Sequence, residues 1–94
     1  MAARSLHELA ESQLSATTPQ ARIRGRELEM AGAVQVLRFT PRMVVAEVDD
    51  STTRVEMGVT DEYLWWYCSC VEGRTGAFCG HCVATALAIG RTPR

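Results

Sequence analysis

Three cysteines and one histidine near the C-terminal end of the chain form two short pairs of metal-binding side chains. Cys68 and Cys70 make a Cys-x-Cys pair, and Cys79 and His81 make a Cys-x-His pair after a gap of eight residues. Thiolate sulfur and imidazole nitrogen are donors that zinc favours, and four of them complete a tetrahedral structural site. One residue separates the members of each pair here, whereas structural zinc pairs usually have two to four. The pattern predicts one structural Zn²⁺ held by these four residues.

The segments around this motif must bring its two halves together. In an extended segment, Cys68 and Cys70 project from the same face, so both thiolates can reach one ion. Cys79 and His81 are expected at the start of a helix, whose free N–H groups and dipole favour the negative charge of a thiolate. Glycines let the intervening chain turn back tightly: Gly73, Gly76 and Gly80. We therefore predict that zinc links a last strand to a C-terminal helix.

The fourth cysteine, Cys82, has two interpretations. Cys79-x-x-Cys82 is a common zinc spacing, so Cys82 could be the fourth ligand in place of His81. Alternatively, Cys82 is a small buried apolar side chain on the helix. The spacing alone leaves both open.

The four cysteines could instead form two disulfides. The N-terminal stretch MAARSLHELAESQL has no apolar core of a secretory signal, which predicts a cytoplasmic protein in a reducing compartment. Metal binding is therefore favoured over disulfides. No apolar run is long enough to cross a bilayer, so we expect no membrane association.

Capping signals predict two N-terminal helices. Ser5 with Glu8 forms a capping box before the first one. Thr18-Pro19 is a typical helix start for the second, and Gly32 is a typical stop.

Apolar spacing predicts the face of the second helix. Ile23 and Met30, with either Glu27 or Leu28, continue one helical face. Gly25 inside this helix costs stability, and close packing against a strand would account for it.

Beyond the second helix the apolar pattern changes to a period of two. Four such segments predict strands joined as an antiparallel meander: Val34 to Phe39, Met43 to Val48, Thr53 to Val59 and Tyr63 to Cys68. A last helix is expected from about Cys79 to Gly90 after a flexible polar loop, residues 72–76. The prediction is an α+β fold.

The length of 94 residues predicts one domain. A chain of this size builds a modest core, which a metal can reinforce. We divide it into an N-terminal helix (1–17), a helix plus sheet (18–67), the zinc motif and helix (68–90) and a tail (91–94).

The motif resembles the SWIM zinc finger, in which CxC is followed by CxH between an aromatic strand and an Ala-rich helix. The matching stretches are Trp66-Tyr67-Cys68-Ser69-Cys70 and Phe78-Cys79-Gly80-His81-Cys82-Val83-Ala84. Bacterial members tend to carry an upstream segment similar to Arg24-Gly25-Arg26 followed by Gly32-Ala33-Val34. The resemblance spans roughly Thr18 to Gly90. This chain has Val71 where the family often has Pro, and Gly80 where it often has Lys.

The resemblance implies a structural zinc and a role in recognition. The family commonly has an aliphatic residue at the position of Cys82, which favours His81 as the fourth ligand. SWIM-type fingers occur with Swi/Snf-type ATPases and transposases, which implies a protein partner or such larger machinery. All ten basic residues are Arg, an indication of a GC-rich bacterial genome.

Two sets of residues are candidates for contact with a partner. Trp65 and Tyr67 alternate with Trp66 and Cys68, so they face away from the metal and could stack on bases or contact protein. Four arginines could form a phosphate-binding patch: Arg22, Arg26, Arg38 and Arg42. An alternative for these arginines is a solvated row that balances the acidic residues of the chain.

The overall charge disfavours nucleic acid as the main partner. The formal net charge is −1, and three zinc-bound thiolates with Zn²⁺ lower it further to about −2. A nucleic-acid binder usually has a basic excess. Direct DNA binding through the Arg patch is therefore the alternative to a protein-interaction module.

Catalysis is the least favoured function. Four protein ligands leave no open position on zinc, and neither HExxH nor an H-x-E motif occurs. A thiol enzyme using Cys82 is conceivable only if Cys82 is not a ligand. We predict a non-catalytic module without a small-molecule substrate.

Overall fold

Capping residues define the two N-terminal helices. The computed structural model describes residues 5–49 and 52–91. Helix α1, Leu6–Leu14, begins at Ser5, whose hydroxyl accepts a hydrogen bond from the Glu8 N–H while the Glu8 carboxylate accepts one from the Ser5 N–H. Helix α2, Pro19–Met30, begins at Thr18 and ends before Gly32, which has a φ of 71°. Both predicted capping signals are confirmed.

Four strands form one antiparallel sheet in the order β1-β2-β3-β4. Their bounds are Val34–Thr40, Met43–Val48, Thr53–Thr60 and Tyr63–Cys68. Each agrees with the predicted segment to within one residue. β3 and β4 are joined by Asp61 and Glu62, both with positive φ, as in the type I′ turn that matches the twist of a hairpin.

The inner face of the sheet is buried in the core, whereas the outer face is partly exposed. The inner face contributes fully buried side chains to the core: Val44, Ala46, Val48, Val55, Met57 and Cys68. The outer face carries Trp65 and Tyr67, which are 38% and 44% exposed. A bulge between Val36 and Arg38 exposes Leu37 at the β1 edge. The alternation in β4 therefore places Trp66 and Trp65 on opposite faces, as predicted.

The helix layer is built on close contact between α2 and the last helix, α4 (Gly80–Arg91). A Cβ on Gly25 would overlap the side chain of Val83, so Gly25 packs against a helix and not against a strand. At the far end, Arg91 Nε lies 3.3 Å from Glu29 Oε2.

The predicted apolar face of α2 is wrong for two of its residues. Ile23 is 62% exposed and Met30 is 72% exposed, whereas Leu28, one of the two alternatives for the third position, is buried together with Gly25. The physical reason is that backbone proximity at Gly25 sets the rotation of α2 against α4, which turns Ile23 and Met30 outward.

The first helix is attached to the domain. Leu6 and Ala10 are fully buried, and the Leu6 N–H donates to the carbonyl of Pro41 in the β1–β2 turn. The predicted flexible loop is also more regular than expected, because Val71–Arg74 form a one-turn helix, α3.

The observed architecture confirms the predicted α+β fold, with the Cys/His cluster next to α4. Arg91 belongs to α4 and not to a tail. Residues 1–4 of the predicted N-terminal segment and residues 92–94 of the predicted tail lie outside the described residues.

Among the helices of the described ranges, none combines the length and apolar character needed to span a membrane.

Candidate metal centre

The strand β4 and the helix α3 position the first cysteine pair. Cys68 is the last residue of β4 and is fully buried. Just beyond it, the Ser69 N–H donates to the Arg54 carbonyl and the Arg54 N–H donates to Ser69 Oγ. Cys70 then caps α3, and its Sγ accepts a hydrogen bond from the Gly73 N–H at 3.2 Å. The chain is thereby fixed on both sides of the Cys-x-Cys pair.

The start of α4 positions the second pair. Cys79 lies directly before the helix, and its carbonyl accepts a hydrogen bond from the Val83 N–H. His81 is in the first turn, where its carbonyl accepts a hydrogen bond from Thr85 Oγ1 at 2.9 Å. Cys79 is buried and His81 is half-buried. The predicted placement at a helix start is confirmed.

The four predicted ligands converge. One donor atom from each of Cys68, Cys70, Cys79 and His81 lies within 4.8 Å of every other. Cys70 Sγ is 3.6 Å from Cys79 Sγ, and Cys79 Sγ is 3.8 Å from His81 Nδ1. A tetrahedral zinc with Zn–S bonds of about 2.3 Å has ligand–ligand edges of about 3.8 Å. The donor types and spacings therefore fit a tetrahedral metal ion.

A tight contact between the backbone of Gly73 and Cys68 supports the Cys68–Cys70 pair. Gly73 is buried, and a Cβ there would overlap Cys68 Cβ and lie 2.8 Å from the Cys68 carbonyl oxygen. The same residue donates its N–H to Cys70 Sγ. N–H donation to a metal-bound thiolate is the kind of outer contact that orients ligands and tunes a site. From the sequence, Gly73 was expected only to let the chain turn between the two ligand pairs.

The aromatic rings of Trp66 and Phe78 pack against each other near the candidate metal centre. Trp66 and Phe78 pack edge to face, with ring centroids 5.2 Å apart and an interplanar angle of 86°. Trp66 Nε1 also donates to the carbonyl of Gly76 at 3.0 Å. This contact ties the loop between the two ligand pairs to the inner face of β4. Trp66 thus lies on the same face of β4 as Cys68, as the alternation predicted, and it lines one groove with Phe78 and Cys79.

The thiols of the cluster shift one another's pKa values. A hydrogen bond to Cys79, together with burial, raises the pKa of Cys68 to about 12. Hydrogen bonds from Cys68 and Cys82 lower the pKa of Cys79. Interaction with Cys68 and Cys79, and then burial, raise the pKa of Cys82. The thiolate form is therefore favoured at Cys79, next to the start of α4, over the other two.

All four cysteines are free thiols. The geometry therefore gives no support to the disulfide alternative: Cys70 Sγ and Cys79 Sγ, for example, are 3.6 Å apart, whereas a disulfide bond is about 2.05 Å long. Cys82 is also fully buried, with its Sγ 3.9 Å from Cys79 Sγ. The set with short mutual distances nevertheless includes His81 and not Cys82.

The four arginines of the predicted patch do not share one surface. Arg22 Nη1 donates to the carbonyls of Leu14 and Thr17, so it caps the end of α1. Arg42 Nη2 donates to the Val59 carbonyl. Arg26 lies beside Arg22 on α2, in the helix layer, whereas Arg38 lines a groove on the outer face of the sheet.

The aromatic pair Trp65 and Tyr67 stands on the outer face, away from the cluster. The indole of Trp65 covers Gly58 on β3, where a Cβ would overlap the ring. Tyr67 lies opposite Glu56 on the same strand pair.

No family model, curated protein or solved structure matches this chain.

Proposed function

We propose that the protein is a SWIM-type, zinc-stabilised interaction module without catalytic activity. The observation that carries the proposal is the convergence of three thiols and one imidazole at tetrahedral spacing. When bound, zinc supplies a fixed cross-link between the end of β4, α3 and the start of α4. Structural zinc contributes roughly 10–16 kcal/mol of apparent binding free energy, which is similar to the whole stability of a small domain.

The coordination chemistry supports a structural role. Four protein donors leave no ligand position for water or substrate, which a catalytic zinc needs. The hydroxyls next to the ligands are also engaged, because Thr85 Oγ1 donates to the His81 carbonyl and Ser69 Oγ accepts from the Arg54 N–H. These hydrogen bonds hold the ligand segments in place.

The outer face of the sheet is the surface we assign to a partner. Trp65, Tyr67 and Leu37 expose apolar area there, and no helix of the described residues packs on it. Its charges are balanced: Arg54 Nε is 2.7 Å from Glu56 Oε2, and Arg38 and Glu47 lie on neighbouring strands. An aromatic surface with mixed charges suits a protein partner better than a polyanion.

Direct DNA binding through the predicted Arg patch is the weaker candidate. Arg22 and Arg42 donate to backbone carbonyls of their own domain. The remaining two, Arg26 and Arg38, lie in different layers. A phosphate-binding row needs several free cations on one surface, and this arrangement does not supply it.

The structural role of zinc can be tested by metal removal. We expect native mass spectrometry to find one zinc per chain, and a strong chelator to abolish most of the far-UV circular dichroism signal, with recovery after zinc is added back. A Cys70→Ala variant should bind zinc weakly and show the same loss. A metal-free protein with unchanged circular dichroism would refute the proposal.

The partner surface can be tested separately. Trp65→Ala/Tyr67→Ala should retain zinc and lose capture of the partner in affinity purification from the native host. The control is Ile23→Ala/Met30→Ala, which removes two apolar side chains from α2 that are more exposed than Trp65 and Tyr67 and should retain capture. Loss in the control alone would assign the interaction to α2.

A further inference from the structure

A fifth metal-binding side chain borders the Cys₃His cluster. Cys82 is in the first turn of α4, next to His81, and none of its surface is exposed. Its Sγ lies 3.9 Å from Cys79 Sγ. That separation is close to the ligand–ligand edge of about 3.8 Å in a zinc site with thiolate ligands.

Cys82 is enclosed in the same core cluster as the two buried ligands. Cys68, Cys79 and Cys82 are each at most 2% exposed in that cluster, and the Cys82 thiol lies beside that of Cys79. A sulfur donor outside the Cys₃His set is therefore buried together with two of its members.

His81 is the most replaceable ligand of the four. It is the only nitrogen donor of the four, and it is half-buried, as Cys70 is, whereas Cys68, Cys79 and Cys82 are buried. Cys79-x-x-Cys82 has the ligand spacing of ordinary structural zinc sites, and thiolates are good zinc ligands. His81 and Cys82 are consecutive residues of one helical turn, so either can complete the site while Cys79 remains bound.

We propose that Cys82 is a reserve zinc ligand that completes a four-sulfur site when His81 leaves the metal. This inference rests on the proposed zinc site. In the exchange, the zinc–imidazole bond breaks and a zinc–sulfur bond forms, while the Cys82 thiol releases its proton to solvent. No oxidant or reductant is involved, and the charge of the centre changes from −1 to −2. The metal keeps four protein ligands, so the link between β4 and α4 survives.

The test is a double-mutant cycle of His81→Ala, Cys82→Ala and the combined variant. Zinc affinity is measured by competition with a chelator, and the ligand set is read from the absorption spectrum after Co²⁺ substitution, in which charge-transfer intensity grows with the number of thiolates. We expect wild type and Cys82→Ala to show three thiolates and similar affinity. His81→Ala should show four thiolates and bind zinc within about tenfold of wild type. The combined variant should bind at least about 100-fold more weakly than His81→Ala.

Three results would contradict the proposal, each for a different reason. If His81→Ala and the combined variant share one three-thiolate spectrum and one affinity, Cys82 is not a reserve ligand. If Cys82→Ala loses a thiolate signal, Cys82 is a ligand in the wild type, and the reserve role is equally wrong. If wild type binds neither Co²⁺ nor Zn²⁺, the proposed function itself fails. Cys82→Val, which refills the buried volume, repeats the cycle if the Ala variants are poorly folded.

Discussion

The side chain of Val83 on α4 occupies the space in which any residue other than glycine at position 25 of α2 would carry its Cβ. This contact lets the two helix backbones approach closely, and the backbone N of Ala84 would lie only 2.9 Å from such a Cβ. Cys79 lies directly before α4 and His81 is in its first turn, so the contact fixes the helix next to half of the candidate metal centre.

Gly25→Ala is expected to destabilise the zinc-loaded protein. Overpacking of a tight contact costs about 1–3 kcal/mol, and the better helix propensity of Ala recovers at most about 1 kcal/mol. Urea denaturation should therefore show a lower free energy of unfolding, and the second change Val83→Ala should recover part of the loss from the clash. The matched control on the same helix is Ile23→Ala, since Ile23 is 62% exposed, and it should stay within about 0.5 kcal/mol of wild type. Equal stability of Gly25→Ala and wild type would contradict this account.

Much of the fold follows from local patterns in the sequence. The strands were predicted to within one residue because short apolar segments alternate with turn residues, and the period of two is clearest in β3, in Val55, Met57 and Val59. The helix starts were predicted because Ser5 and Thr18 satisfy free N–H groups by local side-chain contacts. The four metal donors were predicted from their chemistry, since three thiols and an imidazole so close in sequence are typical of a structural zinc site.

What the sequence did not predict depends on contacts between distant segments. The outward rotation of Ile23 and Met30 follows from the Gly25–Val83 contact, and residue 83 is far from α2 in the chain. The predicted Arg patch does not form one surface, because some of its arginines lie on a helix and another lies on the outer face of the sheet. The signal for α3 was present in principle: a cysteine can cap a helix through its sulfur, as Cys70 does with the Gly73 N–H.

Gly73→Ala is expected to weaken zinc binding. An added methyl group would overlap Cys68 Cβ, and the resulting shift would also displace the N–H that donates to Cys70 Sγ. Changes in such outer contacts typically lower metal affinity by about 10–100-fold, and competition with a chelator measures the change. Glu72→Ala is the control, because the neighbouring side chain is exposed and should leave the affinity unchanged. Wild-type affinity in Gly73→Ala would show that the contact does not support the ligands.

Zinc affinity is expected to rise with pH. The hydrogen bond to Cys79 and burial raise the pKa of Cys68 to about 12 in the metal-free protein, so this thiol is protonated at neutral pH and must lose its proton to bind. Cys79 contributes less to this dependence, because hydrogen bonds from Cys68 and Cys82 lower its pKa. Each proton released on binding makes the affinity about tenfold higher per pH unit. A chelator competition series across neutral pH should therefore give a slope of at least one in log affinity, and acid should release the metal. A flat profile would show that Cys68 is not bound as a thiolate.

Nucleic-acid binding is expected to be weak and independent of the predicted arginine patch. The chain has a formal net charge of −1, and Arg22 and Arg42 are held by backbone carbonyls. Fluorescence anisotropy with labelled single-stranded and duplex DNA should therefore give dissociation constants no tighter than about 10⁻⁴ M at physiological salt, the weak end of non-specific binding. Tight binding whose salt dependence is reduced in Arg22→Ala/Arg26→Ala would restore the Arg patch as the functional surface. Tight binding lost instead in Trp65→Ala/Tyr67→Ala would mean that bases stack on the outer sheet face, because stacking contributes about 1–3 kcal/mol per base and is removed with the ring.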